Sequence, residues 1–72
     1  MESQGKRKRI VEIKQYTLKE LANIYCTTRY LMLRQIRIHE REIGRRIGYY
    51  YDAAQVERIF QLIRLPSSIE VL

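Results

Sequence analysis

Arginine and tyrosine side chains recur in the middle of the chain at a spacing that could align them along one side of a helix. A projection at about 100° per residue from Thr28 places four of these side chains together. The four are Tyr30, Arg34, Arg37 and Arg41. An arginine can donate paired hydrogen bonds to a guanine edge or a phosphate, and a tyrosine can reach a phosphate or stack on a base. The pattern predicts a helix that binds nucleic acid, with a solvated charged face as the alternative.

Groups that could support catalysis or hold a metal are few. The chain has one cysteine, Cys26, and one histidine, His39. Its 8 acidic residues are scattered without a paired spacing, and the sequence contains no glycine-rich loop that could hold a phosphate. A single cysteine excludes an intrachain disulfide, and together with His39 it does not complete a ligand set for a structural metal. We expect His39 to be partly buried beside the apolar face. The sequence therefore predicts no enzyme, no metal site and no small-molecule cofactor.

The length and the charge point to one small domain with an anionic partner. At 72 residues, an apolar core alone leaves a stability margin of only about 3 to 5 kcal/mol, so a homodimer would add useful buried surface. The net charge is +6, with 14 basic against 8 acidic residues, which favours nucleic acid or another anion. This charge is uneven, because residues 1–9 and 28–48 are basic whereas residues 49–72 are slightly acidic.

Neither a signal peptide nor a membrane span is expected. The basic start is followed by only two apolar residues, Ile10 and Val11, before Glu12 interrupts them. No segment approaches the run of about 18 apolar residues that crosses a bilayer. The lone cysteine also fits a reducing compartment, so the expected location is cytoplasmic, with no membrane partner.

Two short helices joined by a tight turn must position the four aligned side chains Tyr30, Arg34, Arg37 and Arg41, which we call the basic stripe. Thr17 followed by Glu20 predicts a capping box, in which each residue bonds a backbone N–H of the other. The apolar residues that follow at helical spacing are Leu18, Leu21, Ala22 and Tyr25. The pattern stops at Cys26, and Thr27 or Thr28 offers a second cap almost at once. Helices this close must cross steeply, which is typical of a helix-turn-helix.

Residues 44–51, with the sequence GRRIGYYY, predict a β-hairpin after the second helix. Gly44 should stop that helix, which we expect to end, with a possible kink, between residues 38 and 43. Arg45 and Arg46 would lie near the hairpin turn, with Gly48 supplying a positive φ, so that the arginines could touch a phosphate backbone or minor groove. The three tyrosines should pack within the fold. The alternative is a connecting loop with solvated arginines.

A third long helix should complete the core. Asp52 with Gln55 forms a second capping box, and Leu65 and Pro66 should end the helix. Its predicted buried residues are Val56, Ile59, Phe60 and Ile63. Before the first helix, residues 10–14 predict a brief strand with Val11 and Ile13 on its apolar side. The expected division is therefore a disordered basic arm at 1–9, a domain at 10–66, and a tail at 67–72 that is either frayed or a small apolar strand for a partner.

Two long stretches of the sequence resemble a known group of proteins. These stretches are YTLKELANIYCTTRYLMLRQI and EIGRRIGYYYDAAQVERIF. They are similar to short winged helix-turn-helix proteins of the MerR and excisionase type, most of all to an uncharacterised bacterial group with the motifs YT-x-KELA, EIG, YY and QV-x-x-IF. The resemblance covers about Tyr16 to Pro66. It implies a mostly α fold with a small β-hairpin: three helices, a wing and a short N-terminal strand.

The resemblance also implies sequence-specific binding to double-stranded DNA, as a transcription regulator or as an accessory factor in recombination. With the basic stripe, it gives the expected DNA contacts as Thr28, Arg29, Tyr30, Leu33, Arg34, Arg37, Arg45 and Arg46. The alternative is a winged-helix module that binds an acidic protein, and a third reading is a basic helix on anionic lipid. Leu33 bears on this choice, because it adjoins the stripe and could touch a thymine methyl or join a protein interface.

Two residues depart from the pattern of the similar proteins. Cys26 stands where the turn glycine is usual, so that a left-handed conformation would cost about 1 to 2 kcal/mol. Gln35 replaces a core aromatic residue, which suggests a looser core or a specific partner for the amide.

Overall fold

The computed structural model describes residues 8–72, which form a small α+β architecture of four helices and two two-stranded sheets. In chain order the elements are β1 Arg9–Val11, β2 Tyr16–Thr17, α1 Leu18–Ile24, α2 Arg29–Ile38, α3 Glu40–Ile43, β3 Tyr50–Tyr51, α4 Ala53–Leu62 and β4 Ile69–Val71. The arm expected at residues 1–9 falls outside the described residues except for its last two, and Arg9 already belongs to β1.

Threonine caps start the two central helices. At α1, the Glu20 N–H donates to the Thr17 hydroxyl at 3.1 Å, and the Thr17 N–H donates to the Glu20 carboxylate at 2.8 Å. The predicted capping box is therefore confirmed. At α2, the Leu31 N–H donates to the Thr28 hydroxyl at 3.1 Å, so Thr28 is the cap of the two threonines considered. Both contacts span three residues, which is why the sequence shows them.

The turn between α1 and α2 is left-handed at Cys26. Its φ is 56°, and among residues 8–72 it is the one residue other than glycine with a positive φ. The following Thr27 N–H donates back to the Ala22 carbonyl at 2.9 Å, which closes the turn. The Tyr25 hydroxyl fixes the end of α1 to the end of α4 by donating to the Ile63 carbonyl at 2.7 Å. The expected left-handed turn is confirmed, and it occurs without glycine.

The second helix ends at Ile38, within the predicted interval. His39, at φ −108° and ψ 25°, separates it from α3, so residues 8–72 contain four helices where three were expected. Arg41 consequently lies on α3, and the helical projection that aligned it with the α2 arginines does not hold. Gly44 ends α3 at φ 86° and ψ 171°, a conformation that is essentially restricted to glycine.

The predicted capping box of α4 is also confirmed. The Gln55 N–H donates to the Asp52 carboxylate at 2.8 Å, and the Asp52 N–H donates to the Gln55 side-chain oxygen at 3.1 Å. The helix ends at Leu62, earlier than the expected stop at residues 65–66, because Ile63 takes an extended conformation at φ −112° and ψ 120°.

One sheet attaches the hairpin segment, residues 44–51, to the start of α1. Within it, Tyr16 pairs with Tyr51 in an antiparallel register. The hairpin itself is a single bridge between Ile47 and Tyr50, with Gly48 at φ 70° in the turn. The expected roles of Gly44 as the helix stop and of Gly48 as the positive-φ residue of the turn are confirmed. The turn lies between Ile47 and Tyr50, so Arg45 and Arg46 precede it and do not form its tip.

The other sheet joins the two ends of the described chain. β1 and β4 are parallel, with Arg9 opposite Ile69 and Val11 opposite Val71. The tail left open at 67–72 thus contains a strand, and paired structure continues past the boundary expected at residue 66. The strand expected to run to residue 14 stops at Val11, and Ile13 is exposed, because the chain bends after Glu12, whose carbonyl accepts the Tyr16 hydroxyl at 2.8 Å.

A single apolar core holds these elements together. Its buried members are Val11, Tyr16, Leu21, Ala22, Ile24, Met32, Ile36, Ile43, Tyr51, Val56, Ile59 and Ile63. Gln35 is exposed and does not replace a core aromatic. Tyr49 and Tyr50 are exposed as well, so the expectation that all three tyrosines pack is wrong for these two. Among the described helices, none is long and apolar enough to cross a membrane.

Candidate nucleic-acid interface

Burial of two residues sets the rotation of α2. Met32 and Ile36 are almost fully buried, four residues apart on one face of the helix. Arg29, Tyr30 and Arg34 are all exposed, and Tyr30 retains 69% of its accessible surface. The apolar pair therefore turns the cationic side of α2 to solvent, as the sequence predicted.

A cleft separates α2 and α3 from the hairpin segment, and we call it the inner cleft. Its volume is about 360 Å³. Its charged and polar lining consists of Arg37, Glu40, Arg45, Arg46 and Tyr51. Leu33 and Ile36 of α2 form its apolar wall. Residues from two predicted sites, the helix stripe and the hairpin, thus meet around one cleft.

A second depression lies beside the inner cleft, where the hairpin segment approaches the start of α1 and α2. It is lined by Lys19, Arg29, Arg46, Tyr49 and Tyr50, together with the first residues of α1. Arg46 lines both depressions. It lies with Arg37 in the inner cleft and with Arg29 in the second depression. We call these arginines, together with Arg45 and the exposed Arg34 of α2, the basic surface.

Arg45 is a highly exposed member of this surface. Its side chain is 90% exposed, and its Nε lies 3.8 Å from an Oε2 of Glu40, which is itself half exposed. An ion pair this exposed contributes little to stability, so it leaves the guanidinium available to an anionic partner. The sequence predicted Arg45 as a contact residue but did not show its pairing with Glu40.

Gln55 positions the backbone of the hairpin segment. Its side-chain NH₂ donates to the Arg45 carbonyl at 2.9 Å and to the Ile43 carbonyl at 3.3 Å, while its oxygen caps α4. One amide thus anchors the segment that carries Arg45 and Arg46 to a helix of the core. The sequence showed only the capping role, because the two carbonyls lie 10 and 12 residues earlier in the chain.

Arg46 and Tyr51 are in contact. The guanidinium carbon of Arg46 lies 5.4 Å from the centroid of the Tyr51 ring, within the range of a cation–π interaction. Burial raises the pKa of the Tyr51 hydroxyl, while the positive charges of Arg46 and Arg37 act in the opposite direction. The hydroxyl therefore stays protonated at neutral pH. Sequence reasoning missed Tyr51, because nothing in a run of three tyrosines distinguishes the buried one.

Not every predicted contact residue is at the clefts. Tyr30 and Arg34 are exposed on α2 but line neither depression, and Arg41 of α3 lines neither. Thr28 is exposed, and its hydroxyl is already engaged as the cap of α2. The predicted residues thus divide into a group around the clefts and a group further out on the same helix.

Among residues 8–72, no group of three or more potential ligands is arranged to hold a metal ion. Comparison of the chain with protein-family models, with curated proteins and with solved structures gave no match. These comparisons therefore give no functional assignment.

Proposed function

We propose that this chain binds double-stranded DNA in a sequence-specific manner as a winged helix-turn-helix protein. In this proposal α1, the turn at Cys26 and α2 form the helix-turn-helix, α2 enters the major groove, and the hairpin segment is the wing. The observation that carries the proposal is the position of Arg46, which lines one depression with Arg37 and the other with Arg29 and so places a cation of the hairpin segment beside two cations of α2.

The dimensions of this surface suit a duplex. Arg29 and Arg37 lie eight residues apart on α2, which corresponds to about 12 Å along a helix axis. A helix with its side chains is about 10 to 12 Å across, and the major groove, which is about 12 Å wide, admits it. Tyr30 and Arg34 would then face base edges, while Arg37, Arg45 and Arg46 would mainly neutralise phosphates.

The biological role is proposed on the resemblance to MerR and excisionase proteins. It is that of a transcription regulator or of an accessory factor that shapes DNA for recombination. Both roles need a site to be selected from competing sequence, which requires base contacts in addition to phosphate contacts.

A second candidate function is binding to an acidic protein through the same face. The observation that favours it is the apolar turn of the hairpin, where Ile47 is 87% and Tyr49 is 81% exposed. Exposed apolar side chains next to arginines are common in protein interfaces.

Substitution of Arg46 tests the proposal. Fluorescence anisotropy with a labelled duplex should show affinity about tenfold lower for Arg46→Ala, since the variant loses a central phosphate contact. Arg64→Ala is the matched control, because Arg64 is an exposed arginine that lines neither depression. It should bind almost as the unmodified chain does. Equal effects of both variants, or displacement of the duplex by polyglutamate as readily as by unlabelled duplex, would favour the protein-binding function.

A further inference from the structure

Tyr51 differs from Tyr16, which is also buried, and from Tyr25, which is partly buried, in having no partner for its hydroxyl among the described residues. It is only 3% exposed, and no hydrogen bond joins its hydroxyl to any residue among 8–72. By contrast, the Tyr16 hydroxyl donates to the Glu12 carbonyl at 2.8 Å and that of Tyr25 to the Ile63 carbonyl at 2.7 Å. A buried hydroxyl without a partner is costly and uncommon. Because Tyr51 lines the inner cleft, its hydroxyl is a hydrogen-bond donor available to a molecule in that cleft.

The charges around this hydroxyl favour an anion. Arg46 lies over the Tyr51 ring, and Arg46 and Arg37 both line the inner cleft with it. Their positive charges act at the hydroxyl itself, since they lower its pKa against the larger effect of burial. Two guanidinium groups and one neutral O–H donor on a common cleft form the type of donor set that binds a phosphoryl group.

We propose that the inner cleft is a binding site for one phosphoryl group, to which the Tyr51 hydroxyl donates a hydrogen bond while Arg37 and Arg46 supply the positive charge. This inference deepens the proposed function, since the first source of that group is a phosphodiester of the DNA backbone. A free phosphate is the second source of the same chemistry. The cleft, at about 360 Å³, is large enough for either.

Glu40 opposes anion binding in the same cleft. Its carboxylate lines the cleft and pairs weakly with Arg45. Its negative charge raises the pKa of the Tyr51 hydroxyl, whereas the two arginines lower it. Removal of this charge should therefore strengthen binding of the phosphoryl group, by about threefold for a pair of partly exposed charges. The cleft thus allows one substitution that should weaken binding, Tyr51→Phe, and one that should strengthen it, Glu40→Gln.

Tyr16→Phe is a matched control for Tyr51→Phe. Tyr16 lies directly opposite Tyr51 in the β2–β3 pair and is also buried, but its hydroxyl bonds a backbone carbonyl and does not line the inner cleft. Tyr16→Phe should lower the midpoint of urea denaturation and leave phosphate binding unchanged. Tyr51→Phe should leave the midpoint unchanged, since it breaks no hydrogen bond among the described residues, and should bind phosphate about tenfold more weakly.

The first measurement is an NMR titration with inorganic phosphate, with chloride at equal ionic strength as the reference. The side-chain N–H signals of Arg37 and Arg46 should shift saturably with phosphate in the unmodified chain. The apparent affinity should fall for Tyr51→Phe and rise for Glu40→Gln. If phosphate and chloride give the same shifts, or if Tyr51→Phe and Tyr16→Phe bind phosphate alike, the inner cleft is not a phosphoryl site.

The second measurement distinguishes the two sources and uses duplexes that carry a single neutral methylphosphonate linkage. For a DNA phosphodiester, one linkage position should weaken the unmodified chain about tenfold and should weaken Tyr51→Phe less, because the variant has already lost the hydrogen bond of the hydroxyl and keeps only the two arginines. If no duplex is bound while the phosphate titration is positive, the proposed function fails and the cleft is a site for free phosphate. Duplex binding with no effect of Tyr51→Phe in either measurement would overturn the cleft proposal alone.

Discussion

Cys26 adopts a left-handed conformation that residues with a Cβ reach at a cost of about 1 to 2 kcal/mol. We predict that Cys26→Gly raises the free energy of unfolding by up to about 1 kcal/mol, because the greater freedom of glycine in the unfolded chain offsets part of the relief. Urea denaturation measures the change. Cys26→Ala is the control, since alanine keeps the Cβ and should bring no gain. Equal stability of the two variants would show that the turn is not strained.

Two arginines of the basic surface should give different signatures on substitution. Arg34→Ala should cost roughly 1 to 3 kcal/mol on a preferred duplex and reduce discrimination between sites, because Arg34 would contact base edges. Arg45→Ala should weaken all duplexes to a similar extent and reduce the salt slope by about 1, because Arg45 would neutralise a phosphate. Salt titrations on a preferred and an unrelated duplex compare them. The division of roles would be wrong if both variants lost affinity in parallel on every duplex.

Residue roles were predictable where the interaction is local. Thr17 and Asp52 each accept from an N–H three residues ahead, so their cap roles follow from the sequence alone. For α2 the sequence left two threonines as candidates, and the structure shows that Thr28 is the cap. The roles of Tyr51 and Gln55 were not predictable, because they depend on which distant segments the fold brings beside them.

At the scale of elements, Gln55 couples the start of α4 to the hairpin segment. We predict that Gln55→Glu keeps the acceptor for the cap but loses both donors and places a carboxylate against two carbonyl oxygens. The hairpin segment should then loosen by about 1 to 3 kcal/mol. Hydrogen exchange of the amides in residues 44–51 should accelerate, and affinity for duplex should fall.

Glu20→Gln provides the comparison for this change. Glu20 holds the same third position in its helix, but its side chain only accepts, from Thr17. Gln55→Glu in α4 should therefore accelerate hydrogen exchange in residues 44–51, whereas Glu20→Gln in α1 should hardly change it. Unchanged exchange rates in residues 44–51 for Gln55→Glu would contradict the anchoring role.

Helices α1, α2 and α4 were predictable because their caps and apolar spacing are local, whereas α3 has no side-chain cap and was not predicted as a separate helix. The pairing of β1 with β4 was not, since it joins residues 9–11 to residues 69–71 and two short apolar runs do not specify each other. The sequence placed the end of α2 only between residues 38 and 43 and did not identify His39 as the break. The roles of the two glycines were predictable, since Gly44 ends α3 and Gly48 takes the positive φ of the turn. The exact bridge, between Ile47 and Tyr50, was not, so the turn lies beyond the two arginines.

At the scale of the whole molecule, a single α2 offers little contact surface. Its ten residues extend over about 15 Å, whereas half-sites read by a two-fold dimer lie about 34 Å apart on the duplex. We therefore predict dimers or cooperative loading on DNA. Sedimentation velocity with and without duplex should show two chains per site. A strict one-to-one complex would contradict this prediction and leave DNA binding intact.

The central claim is that the basic surface formed by α2 and the hairpin segment selects a DNA sequence. The most direct measurement is selection from a pool of random duplexes, followed by salt titration of the enriched duplex. The proposal predicts that one sequence is enriched and that the logarithm of its affinity falls linearly with the logarithm of the salt concentration, with a slope of about −0.9 for each phosphate contacted. Enrichment of no duplex, together with an affinity that does not respond to salt, would contradict it.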